Sequence, residues 1–360
     1  MGSLVIADAL GSFHGKRVFL TGHTGFKGSW LAYLLTLLGA EVKGYALPPL
    51  TPDSHFDQLG LRQTLQHVEG DIRDADFLKQ EMSRFAPEYV LHLAAQALVR
   101  RSYEDPVETI GINVMGSVQL LEAVRATPSV RSLVYITSDK CYENREWIWG
   151  YRESDRLGGH DPYSASKAAA EIVFSAYCRS YFFQRKTLGC ASTRAGNVVG
   201  GGDLAADRIV PDCIRAIQQE RPVSLRNPNA TRPWQHVLEP LSGYLLLAAN
   251  LYSDPEQFSG SWNFGPLSTQ CRTVGEVATF IVSRFGRGEV VMPANAIHQH
   301  EAQLLQLNCD KAHQALGWYP RWDVQQTLVA TTDWYQAVMC GEDAKAVTSR
   351  QIREYFPEIE

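Results

Sequence analysis

A short apolar run, Val18-Phe19-Leu20-Thr21, gives way to Gly22-His23-Thr24-Gly25-Phe26-Lys27-Gly28, and a helical pattern begins at once. Gly22 permits a tight turn, Gly25 lets backbone approach a ligand closely, and Gly28 lets helix and strand pack together. The helix N-terminus behind the turn favours negative charge, so the segment suits the pyrophosphate of a dinucleotide. In the helix, Trp30, Leu31, Leu34, Leu35 and Leu38 recur at three- and four-residue spacing, and Gly39 is placed as a left-handed cap. Strand, glycine turn and amphipathic helix in that order predict the first unit of a doubly wound, Rossmann-type α/β sheet. Gly22, Thr24, Gly25, Phe26, Lys27 and Gly28 are the first candidate cofactor contacts.

The alternation continues. Val42–Ala46, Leu65–Glu69, Tyr89–Leu93, Leu133–Thr137 and Leu188–Ser192 read as further buried strands separated by helical stretches, which predicts a parallel sheet. With 360 residues the chain exceeds the roughly 250 to 300 at which single cores stop growing, so a second lobe is expected. The reading assigns residues 1–195 to the dinucleotide domain and residues 196–360 mainly to a substrate lobe, with the chain crossing back near residues 235–265. Beyond Arg194 the pattern loosens into Gly200-Gly201-Gly202 and the turn-rich Arg226–Arg232.

The second strand ends in Tyr45-Ala46-Leu47-Pro48-Pro49, without the acid that usually takes the ribose hydroxyls of NAD and without an Arg for a 2′-phosphate. NAD is the expected cofactor. Asp71-Ile72 after the third strand is placed to bound the adenine, although an Asp there is also an ordinary turn former.

Asp161-Pro162-Tyr163-Ser164-Ala165-Ser166-Lys167 reads as an N-cap, a proline at the first helical position and a helix that carries Tyr163 and Lys167 on one face. A tyrosine is almost wholly protonated at neutral pH; the Lys167 ammonium and a nicotinamide cation are both expected to pull its pKa down toward that of a working base. The fifth strand runs into Thr137-Ser138-Asp139-Lys140-Cys141-Tyr142, at the carboxyl edge where doubly wound folds bind ligands. Ser138 is suited to bond a reacting hydroxyl, whereas Asp139 and Lys140 also admit reading as a solvated pair.

Several classes are excluded. A formal charge of −5 gives no footprint for nucleic acid. Seven widely spaced cysteines without a CxxC pair argue against a disulfide framework or structural zinc, and fit reduced thiols in a cytoplasm. The first residues lack a signal-peptide pattern and no apolar run reaches the roughly 20 residues of a membrane span. His298-Gln299-His300 lacks further ligands at metal spacing, so no metal is expected. Trp318, Tyr319, Trp322 and Trp334 read as packing residues.

The segments Gly22 to Trp30, Thr137 to Asn144 and Tyr163 to Lys167 resemble the extended short-chain dehydrogenase/reductase family, and within it the nucleotide-sugar 4,6-dehydratases that act on CDP-glucose. The similarity takes in His92-Leu93-Ala94-Ala95-Gln96, Asn113-Val114-Met115-Gly116, Arg194 to Asp203 and Arg232-Pro233-Trp234-Gln235-His236. It implies that Leu93, Ala94, Ala95, Gln96 and Thr137 line the cofactor with Tyr163 and Lys167. It also implies a redox-neutral cycle in which bound NAD is reduced and reoxidised in place. Tyr163 would take the proton of the sugar 4-hydroxyl, and the C4 ketone would acidify the C5 hydrogen. Asp139 would then protonate the departing C6 oxygen, giving a 4-keto-6-deoxy sugar, an early step toward the deoxysugars of lipopolysaccharide O-antigen.

The sequence departs from the commoner family pattern at Lys140, where relatives carry the Glu that serves as C5 base. An ordinary lysine is neutral too rarely at pH 7 to serve without help, a deficit of roughly 4 to 5 kcal/mol. Lys140 is therefore either a depressed-pKa base or an electrostatic stabiliser of the enolate. By the same resemblance Asn113 organises a proton relay near Lys167, Asn197, Arg208 and Arg232 grip the nucleotide diphosphate, and His236 joins them in binding substrate. A homodimer is implied, paired through the helices of Asn113 and Tyr163. Two other functions compete: a nucleotide-sugar 4-epimerase, which needs no acid to expel water, and a non-catalytic dinucleotide sensor, which needs no Tyr163–Lys167 pair.

Overall fold

A computed structural model describes residues 5–225, 227–267, 270–291 and 304–359. Seven strands form one sheet: Arg17–Thr21 (β1), Glu41–Ala46 (β2), Gln66–Glu69 (β3), Tyr89–His92 (β4), Ser132–Ile136 (β5), Gly189–Arg194 (β6) and Gly260–Asn263 (β7). Their order is β7-β6-β5-β4-β1-β2-β3, and every pairing is parallel. Chain order reverses between β1 and β4, so the crevice at a topological switch point opens above their carboxyl ends. The six strands expected from apolar runs are all present; β7, Gly-Ser-Trp-Asn, was not foreseen.

Helices cover both faces, as parallel strands require. Ala75–Phe85 (α2), Ser117–Ala126 (α3) and Pro162–Tyr177 (α4) bury Leu78, Met82, Leu120, Leu121, Val124 and Phe174 against Phe19, Val90, Leu133 and Tyr135 of the sheet. Phe26–Leu37 (α1) and Leu238–Ser253 (α6) bury Trp30, Leu31, Leu34 and Leu245 against Val18, Leu20, Leu91 and Val134 on the other face. Alternate strand residues thus feed separate cores. Gly39 takes φ +74, the left-handed geometry the sequence asked of it.

After β6 the chain builds a smaller layer from Ile209–Gln218 (α5), Val274–Phe285 (α7), Val324–Met339 (α8), Ala344–Tyr355 (α9) and short strand pairs, while α6 and β7 rejoin the sheet. Trp318 and Trp334 are buried and Trp322 packs against the same core. Tyr319 departs from expectation: it is 55% exposed and lies on His313 with ring centres 4.5 Å apart. His298 and His300 lie outside the described residues. Among the described residues no helix is long and apolar enough to cross a membrane.

Glu239, in the first turn of α6, ties the C-terminal segment to this layer. It is fully buried and accepts from the backbone N–H of Arg321 (3.0 Å) and Trp322 (2.7 Å) and from the Tyr355 hydroxyl (2.6 Å). Burial pushes its pKa up from 4.5 to about 7, against the pull of those donors. The native state therefore holds this proton more tightly than the unfolded chain. Its stabilising contribution is complete below pH 4.5 and is lost as pH rises through 7, on the order of 3 kcal/mol. Glu239→Gln is expected to flatten the fall of Tm between pH 5 and pH 7.5, measured by calorimetry; parallel curves for both proteins would refute the assignment.

Candidate functional site

The glycine turn between β1 and α1 is closed to side chains. Gly22 has φ +75, and a Cβ there would stand 2.7 Å from Ala94 N; a Cβ at Gly28 would stand 2.0 Å from the Gly22 carbonyl oxygen. Gly25 caps α1 with no side chain of its own and donates its N–H to that oxygen (3.1 Å). Phe26 and Lys27 form the first turn of α1, whose leading N–H groups have no capping side chain. Thr24 Oγ1 donates to the Leu47 carbonyl (2.9 Å), and Thr21 Oγ1 accepts from the N–H groups of Leu93 and Ala94 (3.2 Å each). A backbone cradle at a helix N-terminus, whose close packing a Cβ at Gly22 or Gly28 would break, fits a dinucleotide diphosphate.

Around it the expected contacts divide. Ile72 is buried where a Cβ on Gly116 would come within 2.5 Å of it, and Ala95 is half-buried beside the loop after β4. Asp71 is engaged by Arg73, whose guanidinium keeps its pKa low. The Gln96 side chain ties the loop after β4 to the helix of Thr109, donating to Thr109 Oγ1 (2.9 Å) and Leu98 O (3.0 Å). Thr137 gives its hydroxyl to Glu171 (2.5 Å).

Asp161 caps α4 by accepting from Ser164 N (2.9 Å), and the helix then presents Tyr163, Lys167 and Glu171 one turn apart. Tyr163 and Lys167 are buried, with the ammonium 5.9 Å from the centre of the tyrosine ring. The protein does not lower the phenol. Burial pushes Tyr163 up to about 12, opposed by the neighbouring Ser138 hydroxyl and by the Arg208 charge. This corrects the expectation from sequence: Lys167 is itself pushed down to about 8 by burial and by Lys27, so desolvation outweighs any help it gives.

Lys27 was expected only at the glycine turn. Its amine is instead held among Arg208, Asp139 and Lys167; burial and the Arg208 charge bring it down to about 8, and Asp139 opposes them. Asp139 is 2% exposed. Its Oδ1 accepts from Ser138 Oγ (2.9 Å), while Oδ2 is buried without a partner. A Cβ on Gly196 would stand 1.9 Å from that oxygen, so only glycine leaves room for the carboxyl group. Lys140 is half-buried, with its backbone N–H on Ser138 Oγ (3.3 Å).

Asn113 is buried in the π-helical turn Gly111–Gly116. It accepts from Gln96 N (2.8 Å) and donates to Gln96 O (3.0 Å) and Ser166 Oγ (2.9 Å). It therefore staples the loop after β4 to α4, the helix that carries Lys167. Sequence reading missed the support below: Glu171 and Arg194, both buried, pair at 2.8 Å, and Arg194 also donates to the Tyr142 hydroxyl (2.7 Å). The i+4 step from Lys167 to Glu171 was the signal available.

Of the expected substrate contacts, Arg208 pairs with buried Asp203 (2.8 Å) and faces Tyr163. Asn197 is half-buried at φ +41, and Arg232 is buried with Nη1 on Thr231 O (2.9 Å). His236 is corrected: it is fully buried between Trp30 and Trp322, with ring centres 5.7 and 4.8 Å away. Burial holds it neutral, near 3, and a ring so enclosed offers substrate no contact. Among the described residues no three His, Cys, Asp or Glu side chains converge as a metal site requires.

A glycine cradle at the switch point and a buried Tyr163–Lys167 pair on α4, beside the strand-end Ser138, define an extended short-chain dehydrogenase/reductase. Comparison sharpens this, because residues 19–331 match the family model described as GDP-mannose 4,6 dehydratase. The chain belongs to that family of nucleotide-sugar dehydratases. It is 48% identical over 348 residues to the CDP-glucose 4,6-dehydratase of Salmonella typhimurium, covering 96% of this chain and 97% of the relative. The UDP-glucose 4-epimerase of Thermus thermophilus, solved in complex with NAD, superposes with a TM-score of 0.73 at 27% identity, over 89% of this chain and 99% of that one. A dTDP-glucose 4,6-dehydratase from Streptomyces venezuelae superposes with a TM-score of 0.77 at 24% identity, over 91% and 99% of the two chains.

Proposed function

We propose that this chain is an NAD-dependent 4,6-dehydratase that converts CDP-glucose to CDP-4-keto-6-deoxyglucose. One observation carries the choice of dehydration over epimerisation: Asp139, beside the Tyr163–Ser138 pair, has one oxygen bonded and the other buried and unpartnered. An epimerase has no use for such an acid, and a sensor none for Tyr163 and Lys167 together. The 48% identity to a CDP-glucose 4,6-dehydratase across nearly both full chains supports the same substrate and cofactor.

When bound, NAD would be held by its diphosphate at the glycine cradle and would supply the hydride acceptor and later the hydride donor. Tyr163, oriented by Ser138, receives the 4-hydroxyl proton, and Lys167 holds positive charge beneath it. Asp139 delivers a proton to the departing C6 oxygen. Lys140 takes the C5 proton as the C6–O bond breaks and returns it to C5 once the hydride has reached C6, Lys27 places positive charge near the intervening enolate, and Arg208, Arg232 and Asn197 hold the diphosphate. The reading extends to a cytoplasmic homodimer in a deoxysugar pathway leading to lipopolysaccharide O-antigen. Exposed Tyr103, Val107, Ile110, Met115 and Ile172, on and beside the helices of Asn113 and Tyr163, support the pairing surface.

Purified protein with NAD is expected to convert CDP-glucose to a product lighter by one water, with no net reduced nicotinamide. Mass spectrometry of a panel of nucleotide-linked glucoses checks this. An isomer of unchanged mass would favour the epimerase, and inertness toward the whole panel would favour the sensor.

A further inference from the structure

Behind Asp139, on the α6 side of the sheet, lie two hydroxyls that the chemistry above does not use. Ser192 and Arg194 on β6 both bond Glu171, on the α4 face (2.7 and 2.8 Å). The residue between them, Thr193, therefore turns to the opposite face, toward α6. There it meets Tyr244: the Tyr244 hydroxyl lies beside Thr193 Oγ1 and within reach of the Asp139 charge. Tyr244 and Thr193 are both fully buried, and the ring is fixed edge-on to Phe264 at 5.7 Å between centres. Thr193 Oγ1, Tyr244 OH and Asp139 Oδ2 all lack a close hydrogen-bond partner. Three such atoms at the foot of a reaction site are unusual, because each costs about 1 to 3 kcal/mol if left unmet.

We propose that Tyr244 and Thr193 are positioning residues for Asp139, holding its Oδ2 through one shared buried water. Three polar partners are what a buried water ordinarily needs. The assignment rests on the dehydratase reading. As the carboxyl group gives its proton to the C6 oxygen, the C6–O bond breaks and water departs. Negative charge then gathers on Asp139, where a hydrogen bond arriving at Oδ2 stabilises it. The groups facing Asp139 are Lys27 from α1, Tyr163 from α4, Cys141 from its own turn and Tyr244 from α6. Of these, Tyr244 comes from the α6 side of the sheet, and its hydroxyl is bonded to no other group.

Single-turnover measurements on the NAD-loaded enzyme with CDP-glucose separate hydride transfer, read as reduced nicotinamide, from elimination, read as loss of water. Tyr244→Phe is expected to slow elimination about tenfold and leave hydride transfer unchanged. The alkaline limb of the elimination pH profile is expected to move upward, since an acid deprived of a donor to its conjugate base gives up its proton at higher pH. Thr193→Val should reproduce this and Thr193→Ser should not. Unchanged elimination and an unmoved profile in Tyr244→Phe would overturn the assignment, as would equal slowing of both steps. Wild-type protein that leaves CDP-glucose intact would instead sink the functional reading itself.

Discussion

Tyr163→Phe is expected to lower kcat by about three orders of magnitude, within the range general base catalysis supplies, with little change in thermal midpoint. The ring stays to fill its buried place, so the variant isolates the hydroxyl. The protein alone holds this phenol near 12, since burial outweighs Ser138 and Arg208. Bringing it to neutrality requires on the order of 7 kcal/mol. Lys167 gives limited help because its own ammonium is destabilised to about 8. The remaining pull must come from positive charge that arrives with the bound dinucleotide. Two consequences follow for pH. Activity should rise from acid pH as proton acceptance by Tyr163 becomes easier, and should fall above about 8 as Lys167 loses its charge. Stopped-flow measurement of hydride transfer over pH 6 to 9 checks both limbs. A Phe variant that transfers hydride at the wild-type rate would end the assignment of Tyr163.

The difference between what sequence foretold for Tyr163 and what the fold does to it is physical. Spacing on a helix places Lys167 beside Tyr163, but it carries no information about how much water either group keeps, and desolvation is the larger effect here. The same limit explains His236, which follows Arg232 closely enough to be read as a ligand while its ring is enclosed by Trp30 and Trp322. It explains Glu171 too, since a lone acid on a helix reads as surface until Arg194 is brought under it by β6. What was legible was set by backbone. Apolar runs gave six strands, and the glycine turn gave the cradle because a Cβ at Gly22 or Gly28 collides with main chain. β7 was illegible because its four residues hold one large apolar side chain, Trp262, and depend on pairing with β6.

Asp139→Asn tests the second chemical step as Tyr163→Phe tests the first. The amide keeps an oxygen for Ser138 and has nearly the volume of the acid, so the loop from β5 to Cys141 should hold. An amide cannot give up a proton to the C6 oxygen. Elimination is therefore expected to fall at least a hundredfold, while oxidation at C4, which uses Tyr163 and Ser138, proceeds within a few-fold of the wild-type rate. The two rates diverge only if Asp139 acts after the hydride has moved. On mixing with CDP-glucose, reduced nicotinamide should then build up and persist, visible as its near-ultraviolet absorbance, whereas in the wild type it should rise and decay within one turnover. The setting of Oδ2 is what makes this outcome specific: no cation or N–H of the protein is bonded to it, so the carboxyl group can carry a proton there, and the water proposed between it, Tyr244 and Thr193 leaves a second oxygen site for that proton. Equal loss of both steps would mean that Asp139 merely shapes the pocket, and the source of the proton would have to be sought at Lys27 or Lys140.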